Sequence, residues 1–270
     1  MIIWLASYPK SGNTWVRALL TNYLSKNKTN IFNDIEKIKK FPEKGLFNGI
    51  VTEEILKKDN LELFKYFIEA QEKINQNNKL NILKTHNFAG SIRNNPFTDS
   101  KNTCGLIYLI RDPRSVAVSY ARHANITFEK SVEFLLSKKR VSINEDFYPE
   151  ARLSWNIHAE SWINSNFPKI LIKYEDLHKD TLKNFRLILL FIQKFIKIEI
   201  DDKKINETID NCSFENLSKL EKEYGFKERK GKENFFRKGE IDEWKNLLPI
   251  NLIKEIENNF EKEMKELNYL

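Results

Sequence analysis

Lys84 and His86 are the residues whose types and spacing most directly indicate catalysis. They lie two positions apart at the end of a short apolar segment. Side chains two apart in a strand point to the same face, which pairs a cation with a base. Imidazole has an unperturbed pKa of ~6.5, so His86 can be neutral and accept a proton near pH 7. A base beside a cation is what group transfer to a hydroxyl requires. The three remaining histidines are interpreted as structural or surface residues: His123, His158 and His178.

A first anion-binding segment follows the N-terminal apolar run, where the chain reads SYPKSGNTW from Ser7 to Trp15. A glycine between a strand and a helix lets backbone N–H groups converge, and the helix N-terminus adds its partial positive charge. Polar and charged side chains surround Gly12: Lys10, Ser11, Asn13 and Thr14. The segment lacks the Walker spacing, since its lysine precedes the glycine. It predicts a loop that holds an anion.

A second candidate reads RDPRSVAVSY from Arg111 to Tyr120, and a third reads FFRKG from Phe235 to Gly239. Asp112 and Pro113 predict a helix start, and a salt bridge between Asp112 and Arg114 is the structural interpretation of those two residues. Arg111 can grip a phosphate bidentately, with a hydroxyl from Ser115 or Ser119 on the helix. Two adjacent cations before a glycine, beside aromatic rings, favour an anion clamp.

The elements that position these residues alternate along the chain. Strands are predicted at 2–7, 80–84, 106–110 and 170–174, and helices at 14–24, 61–74, 113–123, 129–139, 151–165, 181–195 and 253–267. Residues 26–60 and 87–103 are predicted to be loops or lids. Short apolar strands separated by helices favour a central parallel sheet covered on both faces, so we predict a single α/β domain over residues 1–270. Ligands bind at the carboxyl ends of such strands.

Composition narrows the class of protein. The chain has 270 residues, 45 Lys+Arg and 38 Asp+Glu, hence a formal charge of +7, which suits a nucleic acid, an anionic membrane or a small polyanionic ligand. Apolar runs are strand-sized, which argues against a spanning helix. Two cysteines form neither a disulfide framework nor a zinc site. The first residues read as a strand and not a signal peptide, so a reduced, cytoplasmic location is expected.

Six segments together resemble the sulfotransferases that use 3′-phosphoadenosine 5′-phosphosulfate (PAPS), most closely the soluble, cytosolic-type branch. They are YPKSGNTW (8–15), LKTH (83–86), RDPRSVAVSY (111–120), KYEDL (173–177), CSFENL (212–217) and FFRKGEIDEWKN (235–246). They follow that family's order and reach across nearly the whole chain. The resemblance implies a P-loop NTPase-like α/β fold with a central parallel sheet flanked by helices.

The resemblance also implies roles for individual residues. Lys84 and His86 match the catalytic lysine and the general base, and Lys10 would share in the chemistry. The loop holding the 5′-phosphosulfate would consist of Lys10, Ser11, Gly12, Asn13 and Thr14, with Trp15 stacked on the adenine. The 3′-phosphate would be bound by Arg111, Ser119, Arg237, Lys238 and Gly239, with Phe236 in the same segment. Tyr174, Ser213 and Phe214 would surround the adenine. The product would be 3′,5′-adenosine bisphosphate (PAP), and no metal is expected.

Three departures from the family pattern are visible. Asp242 stands where a second glycine is usual, and Asn13 stands where threonine is common. The family's dimer signature is not recognisable after Trp244, so a monomer or a weak homodimer is expected. The expected partner is a small-molecule acceptor with a hydroxyl or amine, and neither nucleic acid nor membrane.

Two other functions fit parts of the sequence. A P-loop kinase acting on a small molecule with ATP and magnesium is the main alternative, although a 3′-phosphate site has no purpose for ATP. A basic nucleic-acid-binding module is the other, although the remaining cations alternate with acids, as in Glu221-Lys222-Glu223. Loop aromatics that could wall an acceptor site, or simply anchor the loops, are Phe41, Phe47, Phe88, Phe97, Phe128 and Phe147.

Overall fold

The computed structural model describes residues 1–25, 30–56, 60–144, 147–229, 234–236 and 239–270. Within these ranges the strands are β1 Ile2–Ser7, β2 Asn81–Thr85, β3 Ser91–Ile92, β4 Asn95–Pro96, β5 Thr103–Ile110, β6 Val141–Asn144, β7 Phe147–Ala151 and β8 Lys169–Lys173. The α-helices are α1 Asn13–Leu24, α2 Ile31–Ile35, α3 Glu53–Leu56, α4 Phe67–Asn75, α5 Pro113–Ala124, α6 Phe128–Leu136, α7 Trp155–Ile163, α8 Tyr174–Lys179, α9 Thr181–Gln193, α10 Asp202–Asn211, α11 Phe214–Tyr224, α12 Trp244–Leu247, α13 Ile250–Asn259 and α14 Glu261–Glu266. Short 3₁₀ helices span Lys44–Phe47 and Asn60–Tyr66.

The central sheet has the strand order β2-β1-β5-β8. β1 runs parallel to both of its neighbours, with Trp4 opposite Leu83 on β2 and Leu106 on β5. Every residue of β1 has 0% exposed surface, because neighbours cover both edges and both faces of the strand. The predicted α/β fold with a central parallel sheet is confirmed.

The two segments predicted to be irregular contain more order than the sequence suggested. Between residues 30 and 56 lie α2, a 3₁₀ helix and α3, and β3 pairs antiparallel with β4 in the second segment. β6 and β7 form another antiparallel pair. These elements are too short to show a periodic pattern, since two to five residues span barely one turn of helix or one strand repeat.

Several helix predictions needed correction at their ends. The helix predicted over 61–74 is divided into a 3₁₀ helix and α4, and the one predicted over 253–267 is divided at Phe260, where φ is −121°. Tyr174, predicted to end a strand, instead begins α8. The helices α10 and α11 were not predicted.

The chain divides into two compact units built from interleaved segments. The first unit comprises residues 1–8, 38–109 and 137–171, and the second comprises residues 9–37, 110–136 and 172–270. The assignment of residues 1–270 to a single domain stays a prediction. Among the described residues, no helix is long and apolar enough to cross a membrane.

An aromatic cluster forms the core of the first unit. The ring of Phe97 lies 4.9 Å from Trp4 and 5.6 Å from Trp162, and Phe41 packs edge-on against Trp4 at 5.4 Å. The indole of Trp4 donates a hydrogen bond to Thr103 Oγ1 (2.8 Å), which satisfies its one polar group. Phe41, Phe47 and Phe97 are buried, so these three predicted loop aromatics pack into the interior.

The second unit is held by helix packing and by buried ion pairs. Phe32 stacks on Phe236 at 5.7 Å, and Tyr23 meets Phe185 edge-on at 5.8 Å. At the start of α5, Asp112 accepts the backbone N–H of Arg114 (2.8 Å) and the guanidinium of the same arginine (2.7 Å). The predicted cap and salt bridge at this helix start are therefore confirmed.

We expect Phe97→Ala to lower the free energy of unfolding by about 3–5 kcal/mol, because it removes a ring that is 3% exposed from a packed aromatic cluster. Urea denaturation followed by fluorescence measures the loss. Leu190→Ala, at an exposed position of α9, is the control and should cost less than about 1 kcal/mol. Equal effects of the two substitutions would contradict the assignment of Phe97 to the core.

Candidate active site

The loop between β1 and α1 has a backbone that glycine makes possible. Gly12 has φ +93°, and a Cβ added there would lie 2.7 Å from Cδ2 of Tyr174. Lys10 also has a positive φ, 70°. α1 begins at Asn13, so its first N–H groups have no acceptor within the helix. The predicted anion loop thus ends on the N-terminus of a twelve-residue helix, within the second unit.

Arg111 ties this loop to two other segments of the second unit. One Nη donates to the carbonyl oxygen of Lys10 and the other to that of Glu240, each at 3.1 Å. The guanidinium carbon lies 4.2 Å from the ring centroid of Tyr174. Among the described residues, Nε of Arg111 and Oγ of Ser11 are buried and have no hydrogen-bond partner. Because buried donors are normally satisfied, these two atoms could donate hydrogen bonds to an anion.

Three of the residues predicted to surround a base come together. The ring of Trp15 lies 5.0 Å from Phe214 and 6.1 Å from Tyr174, and its indole N–H donates to the carbonyl of Cys212 (3.0 Å). The hydroxyl of Tyr174 donates to the carbonyl of Gly239 (3.1 Å). A Cβ on Gly239 would lie 2.6 Å from Phe214, so only glycine fits there.

A fourth ring, His178, joins this group. Its centroid lies 6.2 Å from Tyr174, 6.2 Å from Phe214 and 6.4 Å from Trp15. Burial, and next the charge of Arg111, lower the pKa of His178, which favours the neutral ring. The sequence interpretation missed this contact, although His178 stands one helical turn after Tyr174 on α8 and the spacing could have indicated it.

The other predicted site residues of the second unit have varied surroundings. Ser119 is partly exposed on α5. The hydroxyl of Ser213 accepts the backbone N–H of Asn216 (3.3 Å), so it caps α11. The ring of Phe236 packs against Phe32 and Phe226. Arg237 and Lys238 lie outside the described residues.

Glu228 is a contact that no motif indicated. Its carboxylate accepts hydrogen bonds from Oγ1 of Thr14 (2.9 Å) and from the guanidinium of the buried Arg17 (2.8 Å). Thr14 belongs to the predicted anion loop, so a negative charge lies against that loop. A glutamate in a charged, polar stretch gives no sequence signal, because such residues are usually solvated.

His86 lies in the first unit, directly after β2. Its Nδ1 is 2.7 Å from the carbonyl oxygen of Ser7, the last residue of β1. Because a carbonyl only accepts, Nδ1 carries the proton and the lone pair of the neutral ring is on Nε2. Burial, followed by the charge of Lys84, lowers the pKa of His86 well below its ordinary value. The ring is therefore a neutral proton acceptor at pH 7.

A buried histidine supports the backbone of His86. Nε2 of His158 donates to the carbonyl oxygen of His86 (3.2 Å), and Nδ1 of His158 accepts from the hydroxyl of Tyr108 (2.9 Å). Burial lowers the pKa of His158 to about 3, so this ring stays neutral. The structural interpretation of His158 fits this arrangement, in which His158 holds a neighbour in place.

Lys84 lies beside an ion pair that the sequence did not reveal. Its Nζ is 3.9 Å from Oε1 of Glu150, whose Oε2 accepts from Arg152 (2.6 Å). Burial opposes ionisation of Glu150, but Arg152 and then Lys84 outweigh it and lower the pKa of the carboxyl group to about 2. Neither Glu150 nor Arg152 belongs to any of the six sequence segments. Across the described ranges, no group of three or more His, Cys, Asp or Glu side chains could hold a metal ion.

The second unit thus has a glycine loop at a helix N-terminus beside a group of aromatic rings, and the first unit has a histidine close to a lysine, which together are typical of an α/β enzyme. Residues 2–268 match the model of the sulfotransferase domain, and the chain belongs to that family. Human Sulfotransferase 1E1 is 28% identical over 276 aligned positions, covering 97% of this chain and 83% of the relative. Cytosolic sulfotransferase 12 of Arabidopsis thaliana is 28% identical, with 97% and 76% covered.

Among solved structures, retinol dehydratase in complex with androsterone and inactive cofactor PAP has the same fold. It superposes with a TM-score of 0.64 at 18% identity, covering 98% of this chain and 80% of that chain. The protein is thus a sulfotransferase with the sulfotransferase fold.

We expect Gly12→Ala to lower the free energy of unfolding by at least about 1–2 kcal/mol, because an alanine at φ +93° is strained and its Cβ meets the Tyr174 ring. Thermal and urea denaturation measure the loss. Gly45→Ala is the matched control, since Gly45 lacks a positive φ and has nothing within 4 Å of an added Cβ. If both variants unfold alike, the tight approach of loop and ring is refuted.

Proposed function

We propose that the enzyme transfers the sulfuryl group of PAPS to a hydroxyl or amine of a small-molecule acceptor and releases PAP. The observation that carries the proposal is Arg111, whose guanidinium is fixed by two carbonyls and a ring while its Nε and the nearby Ser11 hydroxyl lack partners among the described residues. The complex of retinol dehydratase with PAP and androsterone supports both the nucleotide and the acceptor class.

The residues of the second unit fit PAPS. Backbone N–H groups at the start of α1, with Lys10, Ser11, Gly12, Asn13 and Thr14, would hold the 5′-phosphosulfate. Arg111, Ser119 and Gly239, with Arg237 and Lys238, would hold the 3′-phosphate, next to Phe236. The rings of Trp15, Tyr174 and Phe214 would stack around the adenine. Ser213, which caps α11, would lie beside them.

The sulfuryl group of PAPS is attached to a good leaving group, PAP. The protein therefore has mainly to position the reactants and to neutralise charge. His86 would take the proton of the attacking hydroxyl at Nε2, since Nδ1–H is bound to the Ser7 carbonyl. Lys10 and Lys84 would stabilise the negative charge that grows as the bond to the leaving oxygen breaks. No metal is included, because these lysines can supply the positive charge.

A kinase using ATP and magnesium is the weaker alternative. ATP has no 3′-phosphate, so the role proposed for Arg111 would have no counterpart in it. The family membership also favours sulfuryl over phosphoryl transfer.

The proposal also covers the acceptor, the cellular location and the oligomeric state. Phe41, Phe47 and Phe97 are buried, so they are poor candidates for an acceptor wall. Phe88 and Phe128 are partly exposed, and the side chain of Phe147 lies outside what the structure describes. We propose a cytoplasmic enzyme, as the name of the Arabidopsis relative suggests, acting as a monomer or weak homodimer. Transfer from labelled PAPS to a library of phenols, alcohols and amines tests the reaction class, and no labelled product from any of them would contradict it.

His86→Ala should reduce kcat by roughly 10²–10⁴-fold, because it removes the proton acceptor, while PAP binding is retained. His123→Ala is the matched control and should leave kcat unchanged. In the wild type, the lowered pKa of His86 keeps the ring neutral as the pH falls, so kcat/KM should decline only below pH 6.5. A decline centred at or above that pH, or unchanged turnover in His86→Ala, would exclude this role.

In thermal-shift measurements, PAP should stabilise the wild type more than ATP does, with or without magnesium. Arg111→Ala should weaken PAP binding by roughly 10- to 100-fold, because it removes charge-assisted hydrogen bonds to the nucleotide. The Tm shift of each variant is measured relative to the Tm of the same variant without ligand. Arg122→Ala, which loses the ion pair with Glu243, is the control. Equal stabilisation by PAP and ATP would favour the kinase.

A further inference from the structure

We propose that Glu150 is a positioning residue for sulfuryl transfer: its carboxylate, clamped by Arg152, restrains the ammonium group of Lys84 and balances the positive charge around His86. The inference rests on the proposed function, in which Lys84 stabilises the developing charge and His86 takes the proton. Glu150 belongs to none of the motifs, and its place on β7 is what brings it to this site.

The geometry places one carboxylate between two cations inside the first unit. Glu150 is 3% exposed and Lys84 is 8% exposed. Oε2 of Glu150 accepts from Arg152 at 2.6 Å, which fixes the direction of the carboxylate. Oε1 lies 3.9 Å from Nζ of Lys84, and within the described part of the chain it is buried without a hydrogen bond. Glu150 therefore attracts Lys84 by charge and forms no hydrogen bond to it.

The carboxylate is ionised, since its two cations hold the pKa of Glu150 at about 2. With Lys84 and Arg152 each positive, the three side chains together carry a single positive charge. Glutamine in place of Glu150 would leave two buried cations facing each other, and the loss of one partner of a buried pair is costly because the other charge stays uncompensated. The expected response is a displaced Lys84 ammonium.

His86 senses the same charges. The groups that face it are Ser7 on β1, Lys84 on β2, Glu150 and Arg152 at the end of β7, and the neutral His158 on α7. Lys84 and Arg152 lower the pKa of His86, whereas Glu150 raises it. Removing Glu150 should therefore lower the pKa of His86 further and make it a weaker base.

The test compares Glu150→Gln with Glu62→Gln, which removes an exposed carboxylate paired with Arg93 in the same unit. We expect kcat of Glu150→Gln to fall roughly 10- to 100-fold, the size typical of supporting partners of a reactive group, while KM for PAPS changes less than about twofold. Glu62→Gln should behave as the wild type. Turnover of Glu150→Gln equal to that of the control would overturn the inference.

A double-mutant cycle separates positioning from a general structural effect. If Glu150 acts through Lys84, its substitution should cost little more turnover once Lys84→Gln is present, so the effects are strongly non-additive. The double variant leaves one buried cation, Arg152, in place of two, which keeps the test open if Glu150→Gln alone fails to fold. Fully additive losses would overturn the inference.

Titration of the His86 imidazole by NMR needs no turnover. Glu150→Gln should lower its pKa relative to the wild type, whereas Glu62→Gln should not. An unchanged pKa would overturn the inference while leaving sulfuryl transfer intact. The proposed function alone would be contradicted by a different pair of results: the wild type transfers nothing from PAPS, and the pKa of His86 is still lowered in Glu150→Gln.

Discussion

The complete burial of β1 is the constraint on which the rest depends. A strand whose six residues have no exposed surface must have neighbours on both edges and cover on both faces, and β2 and β5 supply the edges. The strand is therefore fixed in place up to its last residue. Ser7 ends it, and the carbonyl of Ser7 is the acceptor that sets the tautomer of His86. The buried end of this strand thus fixes the tautomer of His86. In the sequence, Lys10 follows three residues later, and its carbonyl oxygen accepts a hydrogen bond from Arg111.

Several buried cations among the described residues lie beside groups that hold their position. Arg111 has two carbonyls and a ring, Arg114 has Asp112, and Lys84 has Glu150, which Arg152 holds in turn. Buried cations are costly unless they are compensated, so each of these side chains has a narrow range of positions. For a reaction that depends on placing charge, such restraint limits reorganisation when the transition state forms.

The sequence predicted what local chemistry determines. Asp112-Pro113 specified a helix start, and a glycine between a strand and a helix specified the loop that Gly12 forms with φ +93°. It did not predict contacts that arise only when distant segments pack. Glu150 and Glu228 have the residue type of a solvated surface, and nothing local shows that Lys84 or Thr14 lies beside them. The helices α10 and α11 were also missed, although apolar residues recur in them at helical spacing, at Ile205 and Ile209 and at Leu217 and Leu220.

The interleaving of the two units has a consequence for how the protein is made. Neither unit is a continuous stretch of chain. The aromatic residues around Trp15 make contacts between positions far apart in the sequence, such as the hydrogen bond from Trp15 to Cys212. Contacts so far apart in sequence require large loops to close before any stabilisation is gained, which slows folding. The contacts of Trp15 with Cys212 and Phe214 cannot form during synthesis until the last quarter of the chain begins to leave the ribosome. Because neither unit is continuous, any single cut of the gene separates segments of at least one unit, which an engineered split of this protein has to take into account.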